Sequence, residues 1–202
     1  MKSWKRYIDY LSSAQWHIHT KYSDGKDDIL DYCQRASEIG IPLLAFTEHV
    51  RKDLSYDFNS FLEDIEAAKG EFDLIILSGC EAKVLPSGEL DIDEQILRAV
   101  DYPVFSFHSF PDDLGLYVKC LKSALNNPYV NAWAHPGTLS GQKIDLPESV
   151  LPGIFRLMKE KEVLLEINRK YDLPKERWVK MAKRYGVRTV KGSDVHCIED
   201  LI

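Results

Sequence analysis

The chain has 202 residues, 45% of them hydrophobic and 29% charged, and carries a formal net charge of -6 at pH 7. That balance describes one soluble globular domain with a sizeable core, and it argues against a long nucleic-acid groove, whose affinity comes chiefly from clustered Lys and Arg. No apolar run approaches the roughly 18 residues that a membrane span needs, and residues 1–13 lack the basic, apolar pattern of a leader.

Trp4, Tyr7, Ile8 and Leu11 recur at helical spacing, so an amphipathic helix is expected over Ser3 to Ser12, ahead of a barrel over residues 14–202. The first apolar run, Gln15 to Thr20, carries His17 and His19. Ile29, Leu30, Cys33, Ala36 and Ile39 then form a helical stripe, closed by Gly40 before Pro42. The pattern repeats: a run from Leu43 to His49, a helix from Phe58 to Ala68, and a run from Leu74 to Glu81. Pro86-Ser87-Gly88 reads as the turn of a small hairpin over Leu85 to Asp91. Helices are expected over Asp93 to Val100, Leu114 to Leu125, Pro147 to Lys161 and Pro174 to Tyr185. Between them lie the runs Pro103 to His108, Val130 to His135, Val163 to Asn168 and Arg188 to His196.

Six crossovers joining seven apolar strands predict a parallel sheet covered by helices. The predicted fold class is α/β, a distorted seven-stranded (β/α)7 TIM-like barrel forming a single domain over residues 1–202. A doubly wound open sheet satisfies the same alternation, but it does not easily bring seven strand ends to one point. Only six residues follow His196, too few for a usual covering helix, and the N-terminal helix is expected to pack near the gap this leaves. Cys33, Cys80, Cys120 and Cys197 are scattered without Cys-x-x-Cys spacing, which predicts reduced thiols and a cytoplasmic protein.

All six histidines (His17, His19, His49, His108, His135 and His196) stand at or just beyond the C-terminal end of an apolar run. A barrel points those ends at one face and places its chemistry there. Side chains alternate along a strand, so His17 and His19 share a face, as do Asp194 and His196. Glu81 offers two oxygens, enough to bridge two cations. Imidazole with carboxylate suits Zn, Mn or Fe. Glu48, Glu166 and Asn168 are assigned to hydrogen bonding around these groups. For Asp24 a Ser-Asp-Gly turn is the competing reading. Cys80 and Cys197 flank candidate ligands but should face the other way.

The stretches His17-Ile18-His19-Thr20-Lys21-Tyr22-Ser23-Asp24-Gly25, Thr47-Glu48-His49, Gly79-Cys80-Glu81, His108, Ala134-His135-Pro136 and Ser193-Asp194-Val195-His196 together resemble the polymerase and histidinol phosphatase (PHP) domain. Gly79 to Asp91 and Leu165 to Leu173 look most like the PHP domain attached to bacterial family X DNA polymerases. The resemblance implies two or three divalent ions. The first would take His17, His19, Glu81 and Asp194; the second would share Glu81 and add His108 and His135. A third would take His49 and His196 with Asp24, although some family members have a histidine where this chain has Gly25.

The chemistry that follows is hydrolysis of a phosphate ester, with a metal-bridging hydroxide attacking phosphorus in line and the protein supplying position and charge. His17, His19, Glu81, His108, His135 and Asp194 form the expected catalytic set, and Arg51 and Arg169 are candidate phosphate contacts. The leading reading is a phosphatase for a small phosphomonoester such as a nucleotide or histidinol phosphate. A phosphodiesterase or 3'-5' exonuclease is the alternative, and a metal-binding regulatory module the third. Bound cations would offset the acidic charge where a phosphate must sit. The short loop from Val50 to about Asp57 predicts an open site.

Overall fold

The computed structural model describes residues 2–139 and 142–201. Seven parallel strands form one sheet: β1 (Gln15–Ile18), β2 (Leu43–Val50), β3 (Ile75–Lys83), β4 (Tyr102–Ser106), β5 (Ala132–Trp133), β8 (Leu164–Asn168) and β9 (Thr189–Gly192). The order β1-β2-β3-β4-β5-β8-β9 follows the chain, as right-handed crossovers require. Just past β9, His19 N donates to Val195 O at 2.8 Å and Val195 N to His17 O at 3.0 Å, which nearly closes the barrel at the end that carries the histidines.

Helices α1 (Ile29–Ile39), α2 (Phe58–Glu71), α3 (Glu94–Ala99), α4 (Leu114–Leu125), α5 (Leu151–Lys161) and α6 (Glu176–Arg184) fall where the periodicity predicts them. Their ends follow from capping chemistry. Asp28 caps α1 in a capping box with Asp31, Gly40 ends it at φ 74°, and Asp57 and Asp113 accept backbone N–H bonds at the starts of α2 and α4. Helix α5 begins four residues later than the expected Pro147, because Pro152 lacks an N–H and is tolerated only in a first turn.

Alternation along the strands divides the core in two. Leu43, Ala45, Leu77, Tyr102, Val104, Ala132, Leu164 and Val190 fill the barrel interior, whereas Leu44, Phe46, Cys80, Phe105, Trp133 and Leu165 pack outward with the helix cluster. β1 departs from this rule. Its register against β2 slips between Gln15 and Ile18, so that Trp16 fills the interior while Ile18, two residues on, packs outward.

The N-terminal segment is a 3-10 helix over Ser3–Tyr10, kinked at Tyr7, and it packs on the barrel beside the start of β9 as well as on its floor. It crosses the N-terminal mouth of the barrel. Trp4 and Leu11 join the interior cluster, Trp4 Nε1 donates to Glu162 O at 3.0 Å, and Lys191 N on β9 donates to Leu11 O at 2.8 Å. Without these two apolar side chains the lowest interior layer would face water, so the plug takes the place that buries the most apolar surface. Beside β9, a 3-10 turn over Ile198–Asp200 packs on α1, with Ile198 N bonded to Asp27 Oδ2 at 2.8 Å.

The hairpin after β3 is present, with Val84 and Leu90 bridged and Leu85 N bonded to Glu89 O at 2.9 Å. A second hairpin, β6 (Thr138–Leu139) with β7 (Gln142–Lys143), follows β5 and was not anticipated; residues 140 and 141 lie outside the described chain. No helix among the described residues is long and apolar enough to cross a membrane. All four cysteines are free thiols, and Cys80 faces the outer core.

Candidate metal centre

Glu81 lies at the centre of the upper barrel, fully buried, with imidazoles on every side. Its Oε1 is 2.8 Å from His135 Nε2 and 3.2 Å from His108 Nε2; its Oε2 is 2.8 Å from His49 Nδ1, 3.6 Å from His19 Nε2 and 3.7 Å from His17 Nε2. Asp194 completes one flank, with Oδ1 at 3.1 Å from His19 Nε2 and 3.5 Å from His17 Nε2. Asp24, half-exposed at the rim, lies 3.5 Å from His49 Nε2 and 3.4 Å from His196 Nε2. All nine candidate ligands named from the sequence thus converge on one pocket.

Backbone conformation aims two of them. Strand parity would turn His135 outward with Trp133, but a positive φ of 27° at His135 swings its ring back to Glu81. Asp194 likewise sits at φ 50°. Asp and His are among the non-glycine residues that best tolerate such angles, and here the angles aim both side chains at the pocket.

A ring of hydrogen bonds holds the ligands from behind. Glu166 Oε2 meets His17 Nδ1 at 2.7 Å, while its Oε1 accepts from His135 N and from Asn168 Nδ2, each at 2.9 Å. Thr138 Oγ1 is 2.9 Å from His135 Nδ1. These contacts place a proton on each Nδ1 and turn the Nε2 atoms of His17 and His135 toward the pocket. Glu48 anchors the loop that carries Asp24, accepting from Thr20 N at 2.9 Å and from the Ser23 hydroxyl. In that loop Gly25 is obligatory, because a Cβ there would lie 2.1 Å from His19 O.

The charges of the site are strongly coupled. Burial alone would raise the Glu81 carboxyl, yet His108, His49 and His17 hold it well below the ordinary range. Burial opposes charge on His17 too, but Glu166 and Glu81 outweigh it and lift its pKa well above normal. His49 is raised to about 10 against the same opposition from burial, by Glu81 and Asp24. His19, whose burial dominates, falls to about 4. Burial pushes Glu48 up to about 7.

This donor set fits divalent cations. His17 Nε2 and His19 Nε2 face each other at 3.1 Å, with Asp194 Oδ1 at 3.5 and 3.1 Å from them, so three donor atoms meet within reach of one ion. His19 Nδ1 is buried without a hydrogen-bond partner, although such atoms are normally satisfied, and His49 Nδ1 and Glu81 Oε2 have only each other, at 2.8 Å. Three groups can each enclose an ion: His17, His19 and Asp194; His49, Glu81 and His108; and His19, Asp24, His49 and His196. Thus His49 stands nearer the centre, against Glu81, than its assignment to an outer third site implies.

The family model for the PHP domain matches residues 15–132, more than half of the chain. The chain belongs to the PHP domain family. This PHP domain is 31% identical over 201 residues to the DNA polymerase/3'-5' exonuclease PolX of Bacillus subtilis, spanning 92% of its own length but only 34% of that protein's. It is 30% identical over 198 residues to a probable phosphatase of Clostridium novyi, covering 89% of this chain and 77% of that one. Among solved structures, it superposes on the histidinol phosphate phosphatase of Lactococcus lactis, solved with zinc, L-histidinol and phosphate, with TM-score 0.72 and 20% identity, covering 93% and 88% of the two chains. That likeness concerns the fold.

The two arginines of the PHP domain singled out from the sequence part company. Arg51 lines a small recess with Asp24 and His49, its guanidinium donating to Val50 O at 2.5 Å. Arg169 is exposed and does not line the main cleft; its neighbours Lys170 and Tyr171 do. Lys170 Nζ is 2.9 Å from Asp194 O and 3.1 Å from His196 Nδ1. Sequence reasoning missed both residues. The cue was Asn168, whose Oδ1 accepts from Tyr171 N at 3.1 Å and folds the loop tightly enough to turn Lys170 inward.

Proposed function

We propose that this PHP domain is a metal-dependent phosphoesterase that hydrolyses a small phosphomonoester, such as a nucleotide or histidinol phosphate. The observation that carries the reading is Glu81, a buried carboxylate facing five imidazoles, one of which, His19, leaves a ring nitrogen unpartnered. His17, His19, Glu81 and Asp194 would hold one ion. Glu81, His108 and His135 would hold a second, with His49 close to the shared carboxylate, and Asp24, His49 and His196 a third.

Bound divalent ions supply Lewis-acid polarisation and the positive charge that a transferring phosphoryl group needs. The chain's own residues do the positioning. Glu166 and Thr138 hold Nδ1 of His17 and of His135, so their Nε2 atoms face the pocket before a substrate arrives. The buried floor of Trp16, Ala45 and Val104 keeps water from entering beneath Glu81. On the open side lies a cleft of about 1110 Å3 that begins at His108 and His135, large enough for a small metabolite. Four unpaired cysteines fit a reducing, cytoplasmic setting.

Likeness to PolX supports a second reading, exonuclease or phosphodiesterase activity, while the net charge of -6 and the short match to that protein weigh against it. Elemental analysis of purified protein, followed by assays with Mn or Zn on p-nitrophenyl phosphate, on its bis-ester and on labelled single-stranded DNA, separates the readings. Monoester turnover that needs the metal supports the proposal. Turnover confined to the bis-ester or DNA replaces it with the second reading, and metal binding without any turnover leaves a binding module.

A further inference from the structure

The cleft beside His108 and His135 combines apolar and polar side chains. Its lining includes Pro86 and Pro111, exposed over the largely buried rings of Phe107 and Phe110, and the turn that carries Lys170 and Tyr171. That turn is held rigidly. Asn168 N donates to Leu173 O at 2.7 Å, Leu173 N to Asn168 O at 2.9 Å, and the Asn168 side chain spans from Glu166 to Tyr171 N. The same asparagine therefore braces the carboxylate behind His17 and the loop in front of the pocket.

Lys170 points its ammonium at the centre, 2.9 Å from Asp194 O and 3.6 Å from Asp194 Oδ2, while staying partly exposed to the cleft. The Tyr171 ring stands edge-on to His135 at 6.0 Å between centroids, and Asp194 is among the charges that act on its hydroxyl. Two donors, one cationic and one neutral, thus meet where the candidate ligands open to solvent. They sit on a preorganised turn, so little ordering cost accompanies binding. Lys143, which also lines the cleft, pairs instead with Asp172 at 3.5 Å.

We propose that Lys170 and Tyr171 clamp the substrate's phosphate at the mouth of the metal centre and direct its alcohol onto the Pro86-Phe110-Pro111 wall, so that the enzyme selects monoesters of aromatic or apolar alcohols. The inference rests on the phosphomonoesterase reading above. It assigns binding to the clamp and specificity to the wall, and it asks no covalent step of either.

The test uses the zinc-loaded full chain with inorganic phosphate as the probe. Lys170→Ala should weaken phosphate binding in calorimetry by about tenfold or more, the effect of one charge-assisted hydrogen bond, and Tyr171→Phe by a few-fold. Zinc content should be unchanged in both variants, and Lys143→Ala should bind phosphate like the wild type. Benzyl phosphate should be hydrolysed with a kcat/KM at least about tenfold above that of glycerol 3-phosphate, by the burial of one ring. Phosphate affinity unaltered in Lys170→Ala overturns the clamp, and so does a loss of zinc in that variant, which would make Lys170 a brace for the ligands. Equal use of the two esters overturns the selectivity. If wild-type protein neither binds phosphate nor cleaves any monoester, the parent reading fails instead.

Discussion

Gly192 on β9 offers a way to disturb the metal centre without touching a candidate ligand. A Cβ at this position would lie 2.4 Å from Cδ and Oε2 of Glu166 and 2.5 Å from its Cγ. Carbon atoms in contact settle near 3.5 Å or beyond, so Gly192→Ala drives the carboxylate back by about 1 Å. That movement breaks the 2.7 Å contact with His17 Nδ1 and strains the bond from His135 N. A charge-assisted hydrogen bond of this kind contributes about 2 kcal/mol, which corresponds to about thirtyfold in a dissociation constant. The figure agrees with the roughly 10 to 100-fold loss of metal affinity expected when residues behind a ligand are disturbed. Competition with a chromogenic zinc chelator measures it directly. Gly153→Ala is the control, because a Cβ there meets nothing within 4 Å. Zinc affinity in Gly192→Ala within about threefold of wild type would refute the argument that Glu166 orients His17 and His135.

Four other outcomes follow from the same structure. Glu81→Gln keeps the shape of the central side chain but removes its charge; elemental analysis should show at least one metal ion fewer per chain, with turnover reduced about a hundredfold or more. Trp4→Ala empties the barrel plug and should cost about 3 to 5 kcal/mol, a fall in Tm of about 10 °C by scanning fluorimetry. A shift under about 3 °C would show that the plug is dispensable. Burial holds the Glu48 carboxyl at about 7 when folded, against 4.5 as the ordinary value. The native state therefore binds more protons than the unfolded chain between those pH values and loses stability as pH rises through them. In metal-free protein, Glu48→Gln should gain about 3 kcal/mol on wild type between pH 4.5 and pH 8, and parallel denaturation curves across that range would contradict it. Arg51→Ala should raise the Michaelis constant if this side chain, beside Asp24 and His49, meets the phosphate; unaltered kinetics remove it from the site.

Much of the site was legible because its ligands obey strand arithmetic. Glu81 shares a face with Leu77 and so turns inward by parity. Parity fails for His135, whose orientation depends on a left-handed backbone that no local pattern announces. It also fails on β1, where the slipped register lets Trp16 fill the interior two residues before Ile18 turns outward. Helix ends were readable at Gly40 and Asp28, where the capping chemistry is local, and misread at Pro147, where Pro152 sets the boundary.

By itself, the order of residues determined the alternation of strand and helix and the convergence of six histidines and Glu81 at one end of a barrel. Each of those depends on periodicity or on side-chain chemistry, which are properties of short segments. Only the folded chain decided that Trp4 and Leu11 plug the barrel floor, that His49 leans against Glu81, and that Lys170, rather than Arg169, faces the pocket. Those outcomes turn on which surfaces compete for burial and on how a tight turn aims its side chains, and both depend on neighbours far away along the chain.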